Sequence, residues 1–326
     1  MKLPRRNFLH LAAGAAALPA LSRIAGAQTY PSRPVRVIVP APAGGGTDIV
    51  ARLIGQRLSE RLGQQFVIDN RPGGGGNIGT EAVVRAPADG YTLLMVAPAN
   101  AINTSLYEKL SFNFIRDIAP VAGIIVVPNV MLVHPSVPAK SVPEFIAYAK
   151  ANPGKINLAS GVIGSPSHVS GELFKIMTGT DMLLVSYRGV APAATDLLGG
   201  QVQVMFNSLP ASIEYIKAGT LRALAVASAT RSEMLPDIPT VGEFVPGDEA
   251  PTWYGLGAPK NTPAEIVDKL NIDINAGLAN PKFKAQLASL GGTALPGLPA
   301  DFGKLIAEET EKWGKVIRAA NIKPQG

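Results

Sequence analysis

The chain of 326 residues contains no cysteine, which excludes disulfides, thiolate metal sites and thiol nucleophiles. Histidine is nearly absent as well, at three residues, one of them (His10) near the start. A protein-made zinc or iron centre would have to rest mostly on carboxylates, which suits those metals poorly, so no metal site and no cofactor is expected. Charge is sparse, and Lys and Arg nowhere cluster into a patch, so nucleic-acid binding is set aside. The apolar run from Phe8 to Leu21 is too short, and too rich in Ala and Gly, to span a bilayer. A serine hydrolase would carry a G-x-S-x-G elbow, and there is none; Ser165, Ser167 and His168 are sequence neighbours whose side chains diverge on a helix start. No paired carboxylates suggest glycoside chemistry. An enzyme is therefore not expected.

What is present begins with residues 1–27. Lys2, Arg5 and Arg6 precede a short apolar stretch that ends at Ala25-Gly26-Ala27, the grammar of a secretory signal with cleavage after Ala27. Arg5-Arg6-Asn7-Phe8-Leu9 looks like a twin-arginine export signal, with an ordinary export signal as the alternative. This segment holds Lys2, Arg5, Arg6 and Arg23 and no acid, so 26 of the 30 basic residues remain in the rest of the chain against 24 acidic ones. The basic balance belongs mostly to the leader.

Beyond it, strand and helix patterns alternate. Val35–Val39 is a β-branched run, followed by a glycine-rich loop and a helical period at Ile49, Val50, Leu53, Ile54 and Leu58 that Gly63 ends. Phe66–Ile68 and Tyr91–Val96 read as further strands, with a helix from Ile78 to Val84 between them. A second unit starts near residue 130: strands at 130–133, 155–159, 183–186, 202–206 and 221–227, and helices at 142–151, 166–177 and 190–198. Trp253–Ala258 is extended, and two helices close the chain at 263–278 and 299–319. The order predicts two α/β lobes with mostly parallel sheets and a cleft between them, and a helical tail packed back onto the first lobe.

In such sheets ligands sit where strands end and helices begin. Pro42-Ala43-Gly44-Gly45-Gly46-Thr47-Asp48 in the first unit and Ser160-Gly161-Val162-Ile163-Gly164-Ser165-Pro166-Ser167-His168 in the second occupy those points. Glycine permits close backbone approach, and free N–H groups at a helix start favour an anion. Tight turns alone would also need these glycines; their occurrence in both units favours a carboxylate trap. Gly74-Gly75-Gly76-Asn77-Ile78-Gly79 formally matches a dinucleotide fingerprint, but it follows the second strand and the next strand ends without an acid, so a nicotinamide cofactor is not supported.

Seven ordered segments carry a family resemblance: Tyr30–Pro40, Ala43–Asp48 with Ala51-Arg52, Asn70–Gly79, Asp89–Leu94, Ser165–His168 with Glu172 and Phe174, Tyr187-Arg188-Gly189 with Asp196–Val202, and Trp253–Leu256 with Ala258-Pro259. Over its length after the leader the chain resembles the Bug or TctC-like extracytoplasmic solute-binding proteins of tripartite tricarboxylate transporters. The resemblance implies a periplasmic-binding-protein-like Venus flytrap of type II, with two α/β lobes joined by a two-strand hinge. Lobe 1 would comprise 28–127 and 229–326, and lobe 2 residues 128–228. It implies a periplasmic protein, a monomer by default, that takes a small carboxylated solute and delivers it to membrane transporter subunits; a sensor presenting the loaded protein to a membrane receptor is the alternative. Carried over by position, ligand contacts come from Ala43, Gly44, Gly45, Asp48, Ala99 and Asn100 in the first lobe. The second lobe supplies Ser160, Gly164, Ser165, His168, Tyr187, Arg188 and Gly189.

Asn207 and Ser208, at the end of a strand, are candidates for the distal end of the ligand. Asp48 either caps its helix or orients a bridging water. Arg188 either pairs with a second carboxylate or ties the hinge to backbone carbonyls. Gln203 stands where family members often carry Asp, and would admit an anionic ligand if it reaches the cleft.

Overall fold

Val35–Val39 (β1) buries Val37, Ile38 and Val39 in succession, the pattern of a strand covered on both faces. Gly46–Leu62 (α1) follows, stopped by Gly63 in the left-handed region (φ 69°), whose N–H returns to Ser59 O at 3.0 Å. The computed structural model describes residues 30–324, and its compact body begins at Arg33. The expected export signal lies outside the described residues.

The chain continues through Phe66–Asn70 (β2), Asn77–Val84 (α2), Thr92–Val96 (β3), Pro98–Leu106 (α3), Phe114–Asp117 (α4) and Ile118–Val127 (β4). Asn129–Val133 (β5), Val142–Ala151 (α5), Ile156–Ser160 (β6), Pro166–Thr178 (α6) and Met182–Ser186 (β7) come next. Then follow Val190–Leu198 (α7), Val204–Ser208 (β8), Leu209–Lys217 (α8) and Arg222–Val226 (β9). Thr252–Pro259 (β10), Ala264–Leu278 (α9), Pro281–Ser289 (α10), Thr293–Ala294 (β11) and Pro299–Ala319 (α11) complete it. No described helix is long and apolar enough to cross a membrane.

The strands form two sheets, ordered β11-β4-β10-β3-β1-β2 and β7-β6-β8-β5-β9. In the first, β1 runs parallel to β2 and β3, while β10 is antiparallel to β3 and β4. In the second, β6 runs parallel to β7 and β8, and β5 is antiparallel to β8 and β9. These pairings fix where the sheets face each other. β4 is parallel to β1–β3, so its end at Val127 lies at their carboxyl edge. Asn129 opens β5 opposite Ser208, the last residue of β8, so β5 starts at the carboxyl edge of β6–β8. Only Pro128 separates β4 from β5, and the two carboxyl edges therefore meet at this crossing. The two sheets are thus the centres of two lobes joined at this crossing.

The return crossing enters β10 at Thr252, beside the first. Asn129 ties them: its Nδ2 donates to Ala250 O (2.7 Å), its Oδ1 accepts from the Thr252 hydroxyl (3.2 Å), and its carbonyl accepts from Ala227 N (2.7 Å). The tail departs from expectation in one respect. α11 packs on α3 and β4 of the first lobe and also on α6 of the second. One apolar cluster accordingly joins Ile102, Leu106, Trp313, Val316 and Ile317 to Phe145, Val169, Phe174 and Phe206. On its first-lobe side α11 sets Phe302 edge-on to Trp253, 5.8 Å between centroids at 81°, a contact that contributes about 0.5–1.5 kcal/mol beyond its buried area.

Candidate functional site

The two loops singled out by their glycines are copies of one device. In the first lobe, Asp48 stands at the third position of α1 and accepts the N–H of Gly44, four residues back, at 2.8 Å on Oδ2. In the second, His168 stands at the third position of α6 and accepts the N–H of Gly164, again four residues back, at 2.9 Å on Nδ1. Gly44 (φ 83°) and Gly164 (φ 78°) share the same left-handed backbone, which an L side chain resists. Gly45 and Ser165, next in each loop, are both extended N-caps that lend no side-chain oxygen to the helix. Each N3 side chain thus folds a loop back over its helix start. In α1 the amides of Gly46, Thr47 and Asp48 have no backbone partner among the described residues, whereas in α6 Pro166 has no N–H, His168 N–H bonds Ser165 O (3.0 Å), and only the Ser167 amide is left.

Asp48 is almost fully buried and its carboxylate is saturated: Arg52 Nε donates to Oδ2 (2.9 Å) and Asn70 Nδ2 to Oδ1 (3.0 Å). Burial pushes its pKa up, but the hydrogen bonds from Arg52, Gly44 and Asn70 outweigh it and hold the group ionised below the usual carboxylate value. Its negative charge is answered by Arg52 and Asn70, so it acts as a latch for the loop. His168 is also buried, and burial lowers its pKa, leaving a neutral ring whose proton sits on Nε2, 3.9 Å from Glu172 Oε1.

The remaining expected side chains are likewise held within their own lobes. Asn100 Oδ1 accepts Ala97 N (2.9 Å) and its Nδ2 donates to Thr80 Oγ1 (2.8 Å), capping α3 beside half-buried Ala99. Tyr187 donates its hydroxyl to Asp196 (2.7 Å); burial and this bond push its pKa up to about 12. Asn207 Nδ2 donates to Ser212 Oγ (3.1 Å) and its Oδ1 accepts Ser208 N (2.9 Å), fixing the start of α8. Ser160 donates to Gly161 O (3.2 Å), and Ser165 shares a hydroxyl bond with Ser167 (3.0 Å).

Exposed Ala43, Gly44 and Gly45 close β1, and Gly189 (φ 154°) caps α7 at the corresponding edge of the second sheet. Among the described residues, exposed Arg188 makes no hydrogen bond or ion pair. Gln203 does not meet the condition set for it. It precedes β8 at the amino end, away from the crossing, and its Oε1 accepts Asn157 N (2.9 Å), so it does not reach the cleft edge.

Several groups escaped sequence reasoning. Tyr254 lies under the first loop, where a Cβ on Gly46 would fall 2.5 Å from its hydroxyl, and it hydrogen-bonds Thr47. Burial, against that bond, pushes its pKa up to about 12. Ser167 Oγ accepts Gly161 N (3.1 Å), and Ser186 donates to Gly161 O (2.9 Å), which shapes the second loop. Only proximity in space reveals these. Among the described residues no cluster of His, Asp and Glu could hold a metal ion.

The arrangement therefore offers backbone N–H groups of Gly45, Gly46 and Thr47 on one carboxyl edge and of Val162, Ile163 and Ser167 on the other. Hydroxyls of Ser165 and Ser167 add to the second set. None of these amides has a hydrogen-bond partner among the described residues.

The model of the tripartite tricarboxylate transporter family receptor (TctC) matches residues 50–322. Protein BugT of Bordetella pertussis is 38% identical over 300 residues, covering 91% of this chain and 92% of its own. Among solved structures, R. palustris Rpa4515 with adipate superposes with a TM-score of 0.82 at 40% identity, covering 91% of this chain and 100% of that one. MatC from Rhodopseudomonas palustris with bound malate gives 0.78 at 32% identity, covering 88% and 100%. With a family match across most of its length and full-length relatives above 30% identity, the chain belongs to the TctC family of tripartite tricarboxylate transporter receptors.

Proposed function

We propose that this protein captures a small carboxylated solute between its lobes and hands it to the membrane subunits of a tripartite transporter, without chemical change to the solute. The observation that carries this reading is the duplicated loop: Gly44–Asp48 and Gly164–His168 fold alike at the two carboxyl edges, and the amides of Gly45, Gly46 and Thr47 beside the first and of Val162, Ile163 and Ser167 beside the second have no hydrogen-bond partner among the described residues. A carboxylate placed between them would receive charge-assisted bonds from both lobes, which favours the closed arrangement over the open one. Lobe 1 (28–127 and 229–326) and lobe 2 (128–228) are the bodies that would move, about the crossing at Pro128 and the return connection that follows β9. Relatives solved with adipate and malate support a carboxylate of this size. Arg188, exposed beside Gly189, is the cation in place for a second carboxylate. The basic leader with Ala25-Gly26-Ala27 supports export to the periplasm, and the twin arginines support the folded-cargo route.

The test is thermal unfolding after the protein has been unfolded and refolded to strip carried-over solute. A ligand at a hundred times its Kd adds about 2.7 kcal/mol. Adipate or malate is expected to raise Tm, and Gly45→Val to remove that rise. Gly45 is exposed with φ −81°, and a Cβ there meets only Pro42 O at 3.7 Å, so the fold accepts the side chain while the ligand's approach is blocked. An undiminished shift in Gly45→Val would remove this loop from the site.

A further inference from the structure

Where the lobes join, a carboxyl group is buried that the ligand site does not use. Asp248 belongs to the return crossing, in a turn closed by its own N–H on Val245 O at 3.0 Å. It is 0% exposed, and among the described residues neither carboxyl oxygen has a hydrogen-bond partner. Buried polar atoms are nearly always paired, so an isolated carboxylate here is a costly species and the neutral acid the cheaper one. Burial pushes its pKa up to about 7, opposed only by the positive field of Lys312.

Lys312 is engaged elsewhere. Its Nζ donates to Glu309 and to Glu249 O (3.1 Å) and lies 4.5 Å from the Trp313 ring centroid. Glu309 Oε2 in turn accepts both indole N–H groups, Trp313 at 2.8 Å and Trp253 at 3.1 Å. From α6, the Met177 methyl lies 3.6 Å from the position a Cβ on Gly247 would take, while Lys175 closes on Glu172 at 2.9 Å. On the crossing itself Glu249 is exposed and Glu243 is paired with Arg231. Val245 and Ala250, on either side of Asp248, lie in the apolar cluster that joins α11 to the second lobe.

We propose that Asp248 makes the seam between the lobes proton-sensitive. As the neutral acid it stays packed beside α11. Ionised, it draws in water or pulls Lys312 from Glu309, and α11 loosens against α6.

The chain supplies its own reporter, because its two tryptophans, Trp253 and Trp313, both bond Glu309 at this seam. Tryptophan emission of the ligand-free protein is expected to titrate reversibly between pH 6 and 8 with a midpoint near 7. Asp248→Asn, folded by circular dichroism, is expected to be flat across that range, and Asp248→Leu serves the same purpose should Asn prevent folding. A flat wild-type profile overturns the proposal. So does a titration that persists in the folded variants, which would assign it to another group such as His168.

Discussion

Asp48 and His168 show what a polar residue beside a binding loop can be for. Each is buried and each spends its acceptor on a backbone amide four residues earlier, so the loop's shape depends on it. His168→Ala would strand the buried Gly164 N–H, at about 1–3 kcal/mol, and a lower urea midpoint with weakened ligand affinity is the expected result. The two latches also respond to acid. The His168 pKa is depressed, so its contribution is complete above the unfolded value near 6.5 and is lost as pH falls through the folded value. Asp48, likewise depressed, loses its contribution only at lower pH, as the carboxylate protonates below its unfolded value of 3.8. Asp248 has the opposite sign: raised from 3.8 to about 7, it stabilises the fold most below pH 4 and loses that contribution as pH rises to 7. Asp248→Asn should therefore flatten the fall of Tm between pH 5 and 8, as calorimetry at fixed ionic strength would reveal. The sequence marked Asp48 and His168 as site residues, but neither hydrogen bond to a glycine four residues back was legible in it. Which atoms a side chain satisfies depends on the backbone conformation four residues away, and residue type does not encode that.

At the scale of elements, the glycines set how each loop meets its helix start. Gly164 combines φ 78° with a Cβ position 2.2 Å from Leu106 Cδ2, so Gly164→Ala meets both backbone strain and an interlobe clash. It should lower Tm by several degrees, whereas Gly45→Ala, with room and an ordinary φ, should not; differential scanning calorimetry separates the two. Regular elements with strong periods, such as α1, α6, α7 and α11, were legible within a residue or two from apolar spacing and Pro or Gly punctuation. The stretch from Ala97 to Val127 was not. α3 is rich in Asn, a poor helix former, and its Asn100 and Asn103 serve as side-chain anchors instead. β4 contains Pro120 and Gly123, which read as breakers. Its pairing with β10 absorbs them at two register shifts, and Gly123 is needed because a Cβ would fall 2.6 Å from Leu295. α10 carried a usable signal in Asn280-Pro281, since Asn280 Oδ1 caps Phe283 N at 3.1 Å.

For the whole molecule, the crossings decide how the lobes communicate. Asn129 holds both, through Ala250 O, the Thr252 hydroxyl and Ala227 N. Asn129→Ala leaves a buried carbonyl unpaired, which costs about 1–3 kcal/mol, and frees one crossing from the other. Lower stability by denaturant titration, with faster ligand release in stopped-flow, is expected. The two-lobe organisation was legible because strand–loop–helix order repeats on either side of residue 128, whereas the reach of α11 across both lobes was not, since an amphipathic stripe does not name its partner.

The central claim is that paired helix-start amides grip a carboxylate, and calorimetric titration of the refolded protein with adipate against its neutral diamide tests it most directly. Saturable one-to-one binding of the acid, with none of the diamide, is the predicted result. Equal binding of both, or no binding of any carboxylate by a cooperatively folded protein, would contradict it.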